Sequence, residues 1–246
     1  MVEDPVAEEV DPAGEEATRP GHDVVTPVGP PGRGTRMAYA TVRFLVRVVA
    51  TVFGRVEVRG ADKVPADRPF VLAPVHRSNV DFALASLVTP QRMRYMGKDT
   101  IWRSRLLGRF VTMLGAFPVH RGTADREALR LCTQIIEGGE PLVMFPEGTR
   151  RSGPVVGEVF DGPAYVAARC GVPVVPLGIG GSEAMMPRGA RFLRFSKLVL
   201  VEGDPIAPPA PTARGRVPRS GVAALTEKVR VEVQRLFDDA QARAGR

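Results

Sequence analysis

After Gly54 the chain alternates short runs of β-branched and aromatic residues with longer stretches of helical period, and few chain folds satisfy such a pattern. Strands are expected at Val56 to Val58, Phe70 to Val75, Met93 to Met96, Ala116 to Val119, Pro141 to Phe145, Val172 to Ile179 and Leu198 to Glu202. Helices are expected between them at Asn79 to Val88, Thr100 to Leu114, Thr123 to Glu137 and Gly162 to Cys170. A last helix is expected at Ser220 to Ala242, with Ser220 as its N-cap and Val222, Leu225, Val229 and Leu236 inward. Strand and helix in turn imply an α/β fold, a largely parallel central sheet flanked by helices. With 246 residues, 44% of them hydrophobic, a core can form without staples. Two cysteines, Cys132 and Cys170, make no disulfide framework and read as free, buried thiols of a reducing compartment. Three histidines, His22, His76 and His120, make a multi-histidine metal site improbable.

Residues 1 to 36 have another character. They are rich in Pro, Gly and Glu, carry eight acids against three bases, and hold almost no large apolar side chain, so the stretch reads as a disordered acidic tail. The remaining chain therefore carries about +12 of charge beneath the overall +7. Charge of that sign suits nucleic acid, anionic lipid headgroups or phosphorylated small molecules, and does not choose among them. From residue 37 to 54 Val42, Leu45, Val46, Val49, Val52 and Phe53 recur at helical spacing, with Arg36, Arg43 and Arg47 elsewhere on the wheel. Such an amphipathic helix either packs on its own domain or lies in a membrane interface. The longest stretch free of Asp, Glu, Lys and Arg, Cys170 to Ser182, is too short to span a bilayer, and the N-terminus has no secretory pattern. The expected division is a tail at 1–36, the helix at 37–54 and a folded domain at 55–246, in a cytoplasmic protein.

Candidate chemistry collects at strand ends. The strand PFVLAPV runs into His76, and Asp81 follows about one helical turn later. A carboxylate there fixes the imidazole tautomer and stabilises the imidazolium, as a general base requires. Taken alone, the pair reads more readily as a structural histidine beside a polar surface group. A second strand, PLVMF, opens into Phe145-Pro146-Glu147-Gly148-Thr149-Arg150, and a third delivers Arg121 in GAFPVHR. Ligands bind at such ends in open α/β sheets, which suggests an anion site, although either arginine alone reads as a solvated charge. The run Val172 to Leu177 carries two prolines and reads as shaping a pocket.

In this order the four elements resemble the conserved blocks of the glycerolipid acyltransferase family, in its bacterial 1-acyl-glycerol-3-phosphate acyltransferase form, from about Val56 to Asp204. The resemblance makes 55–246 an acyltransferase domain, with His76 as catalytic base, Asp81 as its assistant, and Arg121, Glu147, Gly148, Thr149 and Arg150 associated with the acceptor phosphate. It implies a lysophospholipid acceptor, acyl-CoA or acyl carrier protein as co-substrate, no metal or redox cofactor, and work at the cytoplasmic face of the membrane as a peripheral protein. Two positions depart from the family pattern. Val75 stands where asparagine commonly precedes the histidine, and His120 stands where Asp or Asn commonly precedes the arginine. Both bear on acceptor preference, and His120 also raises a metal or second-base reading.

The segment from Arg92 to Arg130 carries nine bases against three acids, and Trp102, Leu106, Phe110 and Met113 fall at helical spacing within it. With the 37–54 helix it is expected to seat the site on an anionic membrane; an ordinary charged face over a core stripe fits the same residues. Other acceptors, among them glycerol-3-phosphate, another lysophospholipid or a glycolipid, fit the same motifs. A serine hydrolase is suggested by Gly180, Gly181 and Ser182, but Ala184 breaks the G-x-S-x-G elbow. A non-catalytic basic lipid-binding or nucleic-acid-binding module has no use for His76 and Asp81 at one strand end and Glu147 to Arg150 at another, and an aromatic content of 6% argues against base stacking, so no nucleic-acid partner is expected.

Overall fold

The seven expected strands form, and they make one sheet in the order β1-β7-β6-β2-β5-β3-β4. The computed structural model describes residues 28–29, 31–119, 126–211 and 216–246, so most of the expected tail, His120 and Arg121 lie outside the described residues. The strands are β1 (Glu57–Arg59), β2 (Val71–Pro74), β3 (Arg94–Lys98), β4 (Ala116–Val119), β5 (Leu142–Val143), β6 (Val174–Gly180) and β7 (Val199–Glu202). All neighbours run parallel except β6 and β7. The helices are α1 (Arg33–Gly54), α2 (Asp81–Ala85), α3 (Arg105–Met113), α4 (Arg126–Glu137), α5 (Gly162–Cys170), α6 (Ser182–Met185) and α7 (Arg219–Ala244).

Strand β6 is buried along its whole length, which explains why it reads as an unbroken apolar run rather than an alternating one. Its outer partner is α7, whose Val222, Leu225, Val229, Val233, Leu236 and Ala240 form the inward row of a 26-residue helix. The two approach closely because β6 has glycine where they cross. A Cβ on Gly178 would lie 2.3 Å from the Leu236 carbonyl, and one on Gly180 would lie 2.2 Å from that of Ala240. The Val172–Leu177 run was expected to shape a pocket; instead it forms the bed of α7, and none of it lines the cavity described below. Helix α7 starts at Arg219 with Pro218 as N-cap and no side-chain cap bond, so Ser220 is its second residue and not its cap.

Three further expectations change. The stretch from Thr100 divides into a 3-10 turn (Asp99–Arg103) and α3, because Ser104 caps α3 through its side chain. The apolar stripe divides with it. Trp102 turns inward and donates to Thr112 Oγ1 at 2.9 Å, while Leu106 is 81% exposed and Phe110 is also outside. The basic run loses two members to the interior: Arg94 is 1% exposed, and both it and Arg92 pair with Glu140. Cys132 is buried as expected, but Cys170 is only half-buried; both are free thiols.

Helix α1 begins at Arg33, four residues before the expected start, because Gly32 supplies an extended N-cap immediately after the prolines. Its inward row is Tyr39, Val42, Arg43, Val46, Ala50 and Phe53, and Arg43 Nε donates to the Ser86 carbonyl at 2.9 Å. Leu45, Val49 and Val52, expected on one apolar face with Val42, Val46 and Phe53, are instead exposed together with Met37, Phe44 and Val48. The helix is thus apolar on both sides, and its 22 residues are long and apolar enough to cross a bilayer. Counting only uncharged stretches missed this, because Arg43 and Arg47 interrupt the run without making it polar on average.

Candidate active site

Parallel pairing of β2 with β5 builds the site. Val71 lies opposite Leu142 and Leu72 opposite Val143; five residues beyond the first pair, the chain reaches His76 on one side and Glu147 on the other. Both strands are too short to carry the ladder further, so their polar sequels leave the sheet side by side at its C-terminal edge. The His76 N–H donates to Glu147 Oε2 at 3.3 Å, and the Arg151 N–H donates to the His76 carbonyl at 3.0 Å.

His76 is 2% exposed, its ring 4.1 Å from that of Phe145 and edge-on to Phe82 at 5.2 Å. Its Nδ1 lies 3.1 Å from Asp81 Oδ2. A carboxylate can only accept, so Nδ1 carries the proton and Nε2 keeps its lone pair. Asp81, the first residue of α2, also accepts from the N–H groups of Arg77 at 2.7 Å and Ser78 at 2.6 Å through the same oxygen. One carboxylate therefore fixes both the ring and the loop that carries it.

Glu147 is 1% exposed, and its carboxylate is engaged by buried groups. Oε2 accepts from Arg77 Nη1 at 2.6 Å and Oε1 from the Gly157 N–H at 3.3 Å. Arg77 itself is 3% exposed. Its other N–H groups donate to the carbonyls of His76 (3.1 Å), Gly153 (3.0 Å) and Val155 (2.9 Å), and its guanidinium lies 4.9 Å from the Phe237 ring centre. The sequence motifs assign Arg77 no role; a cation directly after a candidate base was the available signal. Gly148 makes the turn between Glu147 and Arg150 at φ +64°, where a Cβ would strike Phe160 at 2.8 Å. Thr149 is exposed beside it.

His76, Asn79, Arg150, Arg43 and Lys98 border an otherwise largely apolar cavity of about 440 Å³. Its walls come from α1 (Tyr39, Val42, Val46), α2 (Phe82, Ala83), β3 (Met96) and the α3 region (Ile101, Val111, Leu114). Sequence reasoning placed no α1 residue at the site, because an N-terminal helix of ambiguous face gives no sign of which strand it crosses. Strand β4 ends at Val119 on the same edge of the sheet, two positions from β5. Ser182, the residue behind the hydrolase reading, is buried at the start of α6, and its hydroxyl has no hydrogen-bond partner among the described residues. Among the described residues no histidine is placed to activate it.

A buried base held by a carboxylate at the mouth of an apolar cavity, with an arginine beside it, fits transfer of an apolar acid to or from a charged hydroxyl compound. Residues 55–180 match the family described as acyltransferase, and the chain belongs to that family. Among its relatives is a Bacillus subtilis protein named 1-acyl-sn-glycerol-3-phosphate acyltransferase, 28% identical over 65% of this chain and 78% of its own length. A Streptococcus pneumoniae protein of the same name is 25% identical over 84% of this chain and 75% of its own. The fold matches a crystal structure of the 1-acyl-sn-glycerophosphate acyltransferase PlsC from Thermotoga maritima, with a TM-score of 0.68 over 83% of this chain and 81% of that one, at 22% identity.

Proposed function

We propose that this protein moves a fatty acyl group from acyl-CoA or acyl carrier protein to the free hydroxyl of 1-acyl-glycerol-3-phosphate, giving phosphatidic acid. The observation that carries the reading is the His76–Asp81 pair opening onto an apolar cavity that Arg150 shares. The Nε2 lone pair of His76 takes the proton of the acceptor hydroxyl as its oxygen attacks the thioester carbonyl carbon. The C–S bond then breaks, the carrier leaves as thiolate, and the proton on His76 is returned to it. Asp81 holds the ring and offsets the charge of the imidazolium that forms between these steps. Arg150 and Arg121 clamp the phosphate by charge-assisted bonds and so set the hydroxyl beside His76. Glu147 works behind them: an engaged, buried carboxylate would repel phosphate, so its part is to hold Arg77 and the His76 backbone. Gly148 and Thr149 form the turn that presents Arg150. The chemistry calls for no metal or redox cofactor.

The cavity between α1, α2, β3 and α3 takes an acyl chain, and the outer row of α1 with Leu106, Leu107 and Phe110 of α3 meets the membrane. An interfacial position suits α1 better than a crossing one, since its inner row walls the cavity and its end is fixed on the sheet: the Leu198 N–H donates to the Gly54 carbonyl at 2.8 Å. The protein is then peripheral, at the cytoplasmic face, where the donor is made. Acyl transfer should be measured with lysophosphatidic acid, glycerol-3-phosphate, a neutral lysophospholipid and a glycolipid, each with both donors. Lysophosphatidic acid is expected to be preferred, and His76→Ala to lower turnover at least about 100-fold without loss of fold. A neutral acceptor used equally well, or near-normal turnover by the variant, would refute the proposal.

A further inference from the structure

The segment between α6 and β7 is the most exposed aromatic surface outside the helices, and the acyl-transfer chemistry does not use it. Phe192 is 83% exposed and Phe195 76%, and Arg188, Arg191 and Arg194 stand between and beside them. The side chains of these three arginines make no hydrogen bond or ion pair among the described residues. The backbone beneath them is held. The Ala190 N–H donates to the Pro187 carbonyl, the Arg194 N–H to that of Met185, and the Ser196 N–H to that of Phe53. With its backbone held, the segment keeps two exposed aromatics beside three arginines, and exposed apolar surface marks an interaction site where it is contiguous with more of its kind.

We infer that the Met186–Lys197 segment is a second lipid contact, which sets Phe192 and Phe195 among acyl chains just below anionic headgroups paired with Arg188, Arg191 and Arg194. Two observations point to a bilayer. The Phe195 ring stacks at 4.9 Å on Phe53, at the end of α1's inward row, and Phe195 borders the same surface depression as Val52, so the patch adjoins the exposed apolar row that ends there. Its charge is of one sign, complementary to phosphate-bearing lipid, and its exposed aromatics are interleaved with arginines along the chain, a composition that an interface favours. The segment also reaches the catalytic loop, since Ser78 Oγ donates to the Met186 carbonyl at 2.8 Å, and α6 just before it accepts from the Gly153 N–H through Glu183 Oε2 at 3.4 Å. Seated in headgroups, it fixes the level at which a lysolipid meets His76. This inference rests on the proposed interfacial placement of α1.

The test uses the full chain with vesicles of phosphatidylcholine alone and with phosphatidylglycerol added. Phe192→Trp places a reporter on the patch; the only native tryptophan, Trp102, is buried. Anionic vesicles should shift its emission to the blue, and quencher-bearing lipids should quench it. Arg188→Gln, Arg191→Gln and Arg194→Gln together should weaken binding to anionic vesicles about tenfold or more, leave binding to phosphatidylcholine unchanged, and leave turnover of a dispersed short-chain substrate unchanged. Vesicle binding by the parent protein with no response at position 192 and no effect of the arginine variant would overturn this contact and spare α1. No vesicle binding by the parent would overturn both. A response to an acidic acyl carrier protein, with none to vesicles, would reassign the patch to a protein partner and overturn the lipid assignment.

Discussion

Arg150 stands where the cavity and the catalytic loop meet, so its loss should be felt by the acceptor and hardly by the donor. For Arg150→Ala, steady-state kinetics should show kcat/KM for lysophosphatidic acid falling about 100-fold while the donor KM changes little; equal loss for both would place the arginine elsewhere in the reaction. Glu202 poses a residue-scale question of another kind. Its two carboxylate oxygens are buried without a hydrogen-bond partner among the described residues, and burial, reinforced by Asp62 and partly offset by Lys63, pushes its pKa up to about 8. A carboxyl whose pKa is raised on folding stabilises the fold while protonated: the contribution is complete below the unfolded value near 4.5 and is lost as pH rises through about 8. Glu202→Gln should therefore melt at the parent's temperature near about pH 4, and above it near about pH 9. A parallel pH dependence in the two proteins would show that Glu202 is not the group responsible. His76, Asp81 and Arg150 could be named from sequence because each sits at a fixed offset from an apolar run. Glu202 could not, because burial of a charge leaves no local pattern, and Arg77 offered only its place directly after the base.

At the scale of elements, every strand was legible because β-branched runs bounded by Gly and Pro have few alternatives. Which face an element buries was less so. Trp102, Leu106 and Phe110 fall on one helical stripe by spacing, yet the Ser104 cap turns one inward and leaves the others outside. Helix α1 shows the same limit, since the single apolar face drawn by its spacing is divided in the fold between an inner row and an exposed one. Packing of α7 on β6 is decided at two glycines whose significance is invisible until the helix is in place. Gly178→Ala should cost at least about 2–3 kcal/mol in urea unfolding, because the added Cβ meets backbone at Leu236 and not a side chain that can rotate away. A cost within experimental error would mean that α7 lifts freely from the sheet.

Over the whole molecule, Arg77 and Glu147 join what the chain order keeps apart: the β2 loop, the β5 loop, the 153–155 segment and, through Phe237, α7. Removing one member strands a buried charge, so Arg77→Met and Glu147→Gln should each destabilise by about 3–5 kcal/mol. The double variant should fall short of the sum by at least about 1 kcal/mol in a double-mutant cycle. Strict additivity would mean that the two act separately. The sequence by itself determined the α/β class and the strand set, since these follow from local period and local turn chemistry, whereas base and phosphate roles for its strand-end residues came only with the resemblance of the four blocks to a known family. Only the tertiary structure decided that β5 lies against β2 in the register that sets Glu147 beside His76, that α1 walls the cavity, and that Glu147 faces Arg77. The first and last of these depend on pairings some 70 positions apart and the placement of α1 on contacts such as that of Arg43 with Ser86, 43 positions apart, and short-range pattern carries no information about either.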